Sequence, residues 1–379
     1  MIYLDYQATT PIAPEVAAAM RPWIETSFGN PHSPHRPGRE AAAAVEVARE
    51  QVLQALSGIV TSNCPQSRLY FTSGATEATN WALKGAAARL PSNKRKIVAL
   101  ATEHACVLDT VEWLGTQGFE IDILPVQPDG LVNLALAAER IDARTGIVAA
   151  MLVNNEIGVI QPIEQLAVLA RARGALFFCD AVQGFGRVPI PLDVCDMVAI
   201  SVHKVHGPKG IGALWVRDGV TLDPLIHGGG QEGGLRSGTL SPALCAGFGE
   251  AARLLQVGWE ADRAHAKRLW SLALDLLGPG WTLNGSSEHR YRGNINARAE
   301  GIDAARLISE VRHVAFSSGS ACASGSGRPS HVLAALGLTT RQARSSIRIG
   351  FGRYTSEAEL VEALSLVGEA AQRQRRFAA

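Results

Sequence analysis

Six short apolar runs set among helical patterns constrain this chain more than any other feature. Leu69 to Thr72, Lys96 to Ala101, Gly146 to Val153, Ala175 to Cys179, Met197 to Val202 and Ile211 to Val216 are rich in β-branched or large apolar residues and bounded by polar or glycine turns. Strands buried on both faces read this way. Between them, Ile163 to Arg173 sets Ile163, Leu166, Ala167 and Ala170 on one helical face, and the Ala-rich stretch Arg39 to Leu56 has strong helix propensity. Strands separated by helices predict an α/β fold: a mostly parallel central sheet with helices on both faces. After "HGGGQEGGLRSGT" the pattern changes to a helix near Glu260 to Leu277, a few short apolar runs and a last helix. Ser356 and Glu359 open that helix as a capping box, with Leu360, Leu364, Val367 and Ala371 on one side. A smaller α+β domain is expected there.

Composition narrows the function. The 379 residues are 47% hydrophobic and 19% charged, enough for a sizeable core, and Lys plus Arg number 36 against 35 for Asp plus Glu. No global field draws nucleic acid or an anionic membrane, although a small anionic ligand stays open. The start "MIYLDYQATTP" lacks a basic, apolar leader and the apolar runs are too short to span a bilayer, so a cytoplasmic protein is expected. Six scattered cysteines, Cys64, Cys106, Cys179, Cys195, Cys245 and Cys322, suggest neither a zinc site nor a disulfide framework, and no metal is expected.

Open α/β sheets bind ligands beyond the carboxyl ends of their strands. In "YFTSGATEATN", Ser73-Gly74-Ala75-Thr76 turns from a strand into a helix whose first amides suit a phosphate. An ordinary N-cap by Ser73 or Thr76 is the alternative. In "ALFFCDAVQGFG", Asp180 follows an apolar run, a costly place for a carboxylate unless it meets a protonated ring nitrogen or strong donors; capping the next turn or pairing with an arginine is the plainer role. Gln183 lies one turn on. In "AISVHKVHGPKG", Lys204 sits just past a strand between His203 and His206, with Ser201 nearby. An amine deprived of water and close to other cations becomes nucleophilic enough for a Schiff base, whereas most lysines lie along the surface. A metal site from His203 and His206 lacks a third ligand. An anion site, an acid for a ring nitrogen and a Schiff-base lysine, in that order on one sheet, are the binding parts for pyridoxal 5'-phosphate. A fourth stretch, "FSSGSACASGSGRPSHVLAALG", surrounds Cys322 with serines and glycines that pack poorly, so its thiol is expected to swing between the pocket and an outside acceptor.

The motifs "LDYQATTP", "FGNPHSPHRPG", "FTSGATEATN", "TEHACVLDT", "VNNEIGVIQPI", "DAVQGFGRVPI", "HKVHGPKGIGAL", "GGGQEGGLRSGT", "SSGSACAS" and "SSIRIGFGRYT" run in unbroken order over nearly the whole chain. Together they resemble the cysteine desulfurases, pyridoxal phosphate enzymes of the class V aminotransferase superfamily with fold type I. The resemblance implies that Lys204 forms the Schiff base, Asp180 keeps the pyridine nitrogen protonated, Gln183 contacts the phenolic oxygen and His104 stacks on the ring and moves protons. It assigns the phosphate to Ala75, Thr76, Ser201 and His203, with Thr239 reaching in from the second subunit of a homodimer. Asn155 and Arg348 would grip the cofactor edge and the substrate carboxylate, and Cys322 would take sulfur from L-cysteine as a persulfide, leaving L-alanine. A large cofactor-binding domain over residues 16–255 and a small domain of 1–15 and 256–379 carrying the cysteine loop are implied.

A protein sulfur acceptor, an iron-sulfur scaffold or another carrier, is the implied partner, with no nucleic acid or membrane. A selenocysteine lyase, or another pyridoxal phosphate transferase on the same scaffold, is the alternative within this chemistry. A binding or assembly subunit whose chemistry has lapsed is the alternative outside it. Val202, Gly233 and Gln7 depart from the usual pattern without removing a named chemical group. The chain also stops soon after its last helix, which leaves delivery to a scaffold less expected than persulfide formation.

Overall fold

In the computed structural model, residues 1–58, 65–319 and 330–378 are described. Cys64 and Cys322 lie outside them. The strands run β1 (Ile2–Tyr3), β2 (Ser67–Thr72), β3 (Lys96–Leu100), β4 (Glu120–Leu124), β5 (Thr145–Met151), β6 (Leu176–Asp180), β7 (Met197–Ser201), β8 (Gly212–Arg217), β9 (Thr282–Leu283), β10 (Asn294–Arg298), β11 (Val314–Ala315) and β12 (Ser346–Gly350). Among the described residues β2 to β8 form one seven-stranded sheet in the order β2-β8-β7-β6-β5-β3-β4.

Pairs β3–β4, β3–β5, β5–β6 and β6–β7 are parallel, whereas β8 runs antiparallel to both of its neighbours, β2 and β7. All six expected runs lie in this sheet. The seventh strand, β4, had no such signal: "EIDIL" sits at the edge of the sheet with Glu120 and Ile123 exposed, so it alternates instead of reading as an apolar run.

Side chains along β7 show how the sheet is covered, because successive residues point to opposite faces. Val198 and Ile200 enter a core with the helices Pro14–Glu25, Arg36–Gly58 and Ile163–Ala172, while Met197 and Ala199 enter another with Ala75–Ala87 and Ala105–Thr116. Helices therefore cover both faces, as expected. On Ile163–Ala172 the four residues read as one face are the buried ones.

A second layer packs β12-β10-β9 with the last helix, Glu357–Ala378, around Ile295, Ile347, Phe351, Leu360 and Leu364. Ser356 and Glu359 make the reciprocal capping bonds, with Ser356 N donating to Glu359 Oε2 at 2.8 Å and Glu359 N to Ser356 Oγ at 3.1 Å. The helix expected near Glu260 is the far half of a continuous one, Pro242–Leu277. Gly247, Gly249 and Gly258 weaken its near half on propensity. Close packing restores it, since Gly249 lies against Ala48 and Gln51 of the helix Arg36–Gly58. Cys245, Phe248 and Leu255 of the long helix join the sheet core, and Leu269, Trp270 and Ala273 join the second core.

Candidate active site

The reversal at β8 brings the site together. The parallel strands β3, β5, β6 and β7 end on one edge; β8, running the other way, begins there, and β2, reversed again, ends there. The turns on that edge carry His104, Asn155, Asp180 to Gln183, Ser201 to Lys204, Gly210 to Ile211 and Ser73 to Thr76. All of these segments contribute to the wall of one cavity of about 480 Å³, closed by Gln7 and Ala8 of the N-terminal segment and by Arg348 of β12.

The helix Ala75–Ala87 begins at Gly74 with no side-chain cap, so the plain N-cap role considered for Ser73 or Thr76 is not found. Its first amides face the cavity edge without a side-chain acceptor, an arrangement suited to an anion. Gly212 must be glycine here: a Cβ would lie 2.7 Å from the Gly74 carbonyl carbon and 2.8 Å from the Ile200 oxygen. Ser201 is buried, and His203 is pinned through Nδ1, 3.1 Å from Thr9 Oγ1. Burial, with Lys204 adding to it, lowers the His203 pKa to about 4, so it faces the cavity as a neutral ring.

Lys204 extends from a single 3₁₀ turn, Val202–Lys204, and its Nζ donates to the carbonyls of Gln7 at 2.8 Å and Ala8 at 2.6 Å. The amine is on the cavity wall instead of on an outer surface. The N-terminal segment holds this turn from the other side, since Thr10 donates through N and Oγ1 to the His203 carbonyl, each at 2.9 Å. His206 belongs to the same clamp: Nδ1 is 3.0 Å from the Pro11 oxygen and the ring stands edge-on to Tyr6 and Tyr354. The two histidines thus point at separate partners.

Asp180 closes β6 and is 4% exposed. Its Oδ1 accepts from Val182 N at 3.0 Å, so it does cap the next turn, yet it also lines the cavity. Burial raises its pKa, opposed by the Val182 hydrogen bond, His104 and Lys204. A cationic nitrogen delivered by a ligand offsets that cost. His104 caps the helix Ala105–Thr116 by accepting from Cys106 N on Nδ1 at 3.1 Å, which leaves the proton on Nε2. Burial holds its pKa below the usual value, and Lys204 pushes the same way.

Arg348 is 1% exposed. It donates from Nη2 to Asp5 Oδ1 at 2.8 Å and from Nη1 to the Asn155 carbonyl at 3.1 Å, while its Nε has no partner among the described residues. Asn155 is presented by Asn154, whose Oδ1 accepts from Glu156 N at 2.8 Å and Ile157 N at 3.0 Å. Thr239 is exposed and off the cavity wall of this chain. Among the described residues no group of three or more His, Cys, Asp or Glu is arranged to hold a metal ion.

The sequence alone does not single out Asp5, Glu103, Arg187 or Met151, and it assigns Cys106 no part in the site. Cys106 and Met151 are on the cavity wall. Burial pushes the Cys106 thiol up, away from thiolate chemistry. Glu103 is fully buried, and burial raises its carboxyl well above the carboxylate range while Met151 N donates to Oε1 at 2.7 Å. Asp5 lies in the quoted "LDYQATTP", but only the fold brings it to Arg348.

An amine, a buried carboxyl group and an uncapped helix start around one cavity suit pyridoxal 5'-phosphate. Known proteins agree with this chemistry. Cysteine desulfurase IscS of Rickettsia bellii is 43% identical over 374 residues, 97% of this chain and 90% of the relative. The Rickettsia akari protein of the same name is 44% identical over the same coverage. Among solved structures, a NifS-like protein superposes with TM-score 0.89 at 32% identity, covering 98% of this chain and 99% of that one. SspA in complex with cysteine superposes with TM-score 0.82 at 35% identity, covering 94% and 100%. Residues 2–364 match the aminotransferase class-V family, and the chain belongs to it.

Proposed function

We propose that this protein is a cysteine desulfurase, a pyridoxal 5'-phosphate enzyme that takes sulfur from L-cysteine, releases L-alanine and passes the sulfur on to an acceptor protein. The observation that carries this reading is the convergence of Lys204, Asp180, His104 and the start of the helix Ala75–Ala87 on one cavity with Arg348 in its wall. The similarity to the IscS proteins supports it.

The cofactor supplies an electron sink that weakens the bonds to the Cα of a bound amino acid. Lys204 would hold the cofactor covalently and then exchange a proton with Cα. Asp180 would serve as the counter-charge to the pyridine nitrogen and keep it protonated. Gln183 would donate to the phenolic oxygen. Ala75, Thr76, Ser201 and His203 would bind the phosphate, with Thr239 supplied by the second subunit of a homodimer. Arg348 retains N–H groups not used on Asp5 or Asn155 and would receive the substrate carboxylate, with Asn155 beside it. His104, with its proton on Nε2, would handle protons near the departing sulfur. Cys322, outside the described residues, would receive that sulfur as a persulfide.

We place the reaction in the cytoplasm, with an iron-sulfur scaffold or another sulfur carrier as acceptor. We also propose a large domain over 16–255 and a small one of 1–15 and 256–379; the two largest apolar cores divide near that boundary, although Ala13 joins the sheet core and a minor cluster packs Ile157 and Val159 against Val332 and Leu333 across it. The deciding experiment treats purified protein with cysteine, measures alanine, and maps the added sulfur by mass spectrometry. Sulfur on Cys322 and stoichiometric alanine are expected. Sulfur on Cys64 or Cys106, or alanine formation by a Cys322→Ala variant at the wild-type rate, defeats the assignment.

A further inference from the structure

Arg187 is buried at 7% exposure, yet among the described residues it makes no ion pair with a carboxylate. Its neighbours are instead uncharged acceptors. Nη1 donates to Gln183 Oε1, while Nη2 donates to the Lys204 carbonyl at 2.7 Å and the Tyr6 carbonyl at 3.3 Å, and the guanidinium lies 5.2 Å from the Tyr291 ring centroid. Arg187 is not on the wall of the main cavity; Gln183 stands between. Burying a guanidinium without a counter-charge is expensive, so the position asks for a reason.

The geometry points to Arg187 as a positioning residue that locks the Gln183 amide with its NH₂ group toward the cavity and holds a buried positive charge behind Lys204. The amide cannot flip, because that would set its NH₂ against the guanidinium N–H. One amide hydrogen is committed to the Gln7 carbonyl at 2.9 Å, leaving the other for an oxygen in the cavity. This inference rests on the reading above, in which that oxygen is the cofactor's phenolate and Lys204 carries the Schiff base. Donation to the phenolate and a nearby positive charge both disfavour protonation of the imine. Loss of Arg187 should therefore raise the pH at which the imine loses its proton. Asp180, His104, His203, Lys209 and Arg348 also face the cavity, and His206, Tyr291, Asp262 and Arg353 border Arg187 on its other side. None of these changes in the variants.

The test is a pH titration of the visible absorbance band of the purified protein loaded with pyridoxal 5'-phosphate. Arg187→Met should raise the midpoint by about one pH unit, the scale of one buried charge at this range. Arg187→Lys, which keeps the charge but not the fork, should raise it by less. In a Gln183→Leu background the Arg187→Met shift should shrink. A midpoint that is unmoved or lowered overturns the proposal, as does an equal shift in both backgrounds. If Arg187→Met does not fold, the Lys variant decides alone by its own smaller rise. A wild-type protein with no band overturns both this proposal and the site reading, whereas a band with an unmoved midpoint overturns this one only.

Discussion

Arg348, on the wall of the cavity, and Asp5, 343 residues away in sequence, meet in a hydrogen-bonded ion pair at 2.8 Å. Arg348 is almost wholly enclosed, so Asp5 is the charge that makes its burial tolerable. Asp5→Asn should destabilise the fold by about 3 kcal/mol, read from urea unfolding, because it leaves a buried cation uncompensated. Arg348→Lys should lower kcat/KM for cysteine by roughly 100-fold, mostly through KM, since a lysine cannot make the planar paired contact to a carboxylate.

Lys204→Ala should abolish the visible absorbance band and lower alanine formation by at least about 1,000-fold, the combined loss of the covalent tether and of a positioned proton carrier. Asp180→Asn should bind cofactor yet turn over far more slowly, because an amide cannot hold a ring nitrogen protonated. Absorbance spectra and a steady-state alanine assay separate the two.

His206 gives a pH dependence with a definite sign. Its folded pKa is lowered to about 4, chiefly by burial, while the unfolded chain protonates near the ordinary value of about 6.5. The neutral ring contributes its stability in full above about 6.5, and that contribution is lost as pH falls toward 4. It amounts to about 3 kcal/mol from this residue. His206 has φ of 68°, a left-handed conformation that asparagine also adopts. Urea midpoints of His206→Asn should fall less steeply than wild type between pH 7 and pH 5.

Gly212→Ala should weaken cofactor binding by at least about 10-fold, measured by equilibrium uptake of pyridoxal 5'-phosphate, with secondary structure retained. The added methyl meets backbone atoms of Gly74 and Ile200 at 2.7 to 2.8 Å, so the helix start must shift away from β7.

Periodicity located the inner strands because burial on both faces leaves only apolar residues, as in "KIVAL" and "MVAIS". It passed over β4, whose edge position lets charged residues alternate with apolar ones. Lys204, Asp180 and Ser201 were legible for a related reason: each is a polar residue closing or following an apolar strand, where burial makes it costly. Arg187 and Asp5 carried no such mark. Their importance lies in contacts with Gln183, Lys204 and Arg348, and pairings that distant are set by the fold, not by neighbours along the chain. The direction of β8 was likewise hidden, since a buried strand looks the same whichever way it runs.

The helix Pro242–Leu277 carries Leu255 in one core and Leu269 in the other along a single unbroken axis. It works as a gauge whose phase matters as much as its length. Inserting one residue between Leu255 and Ala266 would rotate the far stripe by about 100° and advance it about 1.5 Å. Lengthening a surface connection is cheap by comparison. Drift in chain length among proteins of this architecture should therefore collect in the turns and spare this rod, the common reference for the strand that bears Arg348 and the turn that bears Lys204.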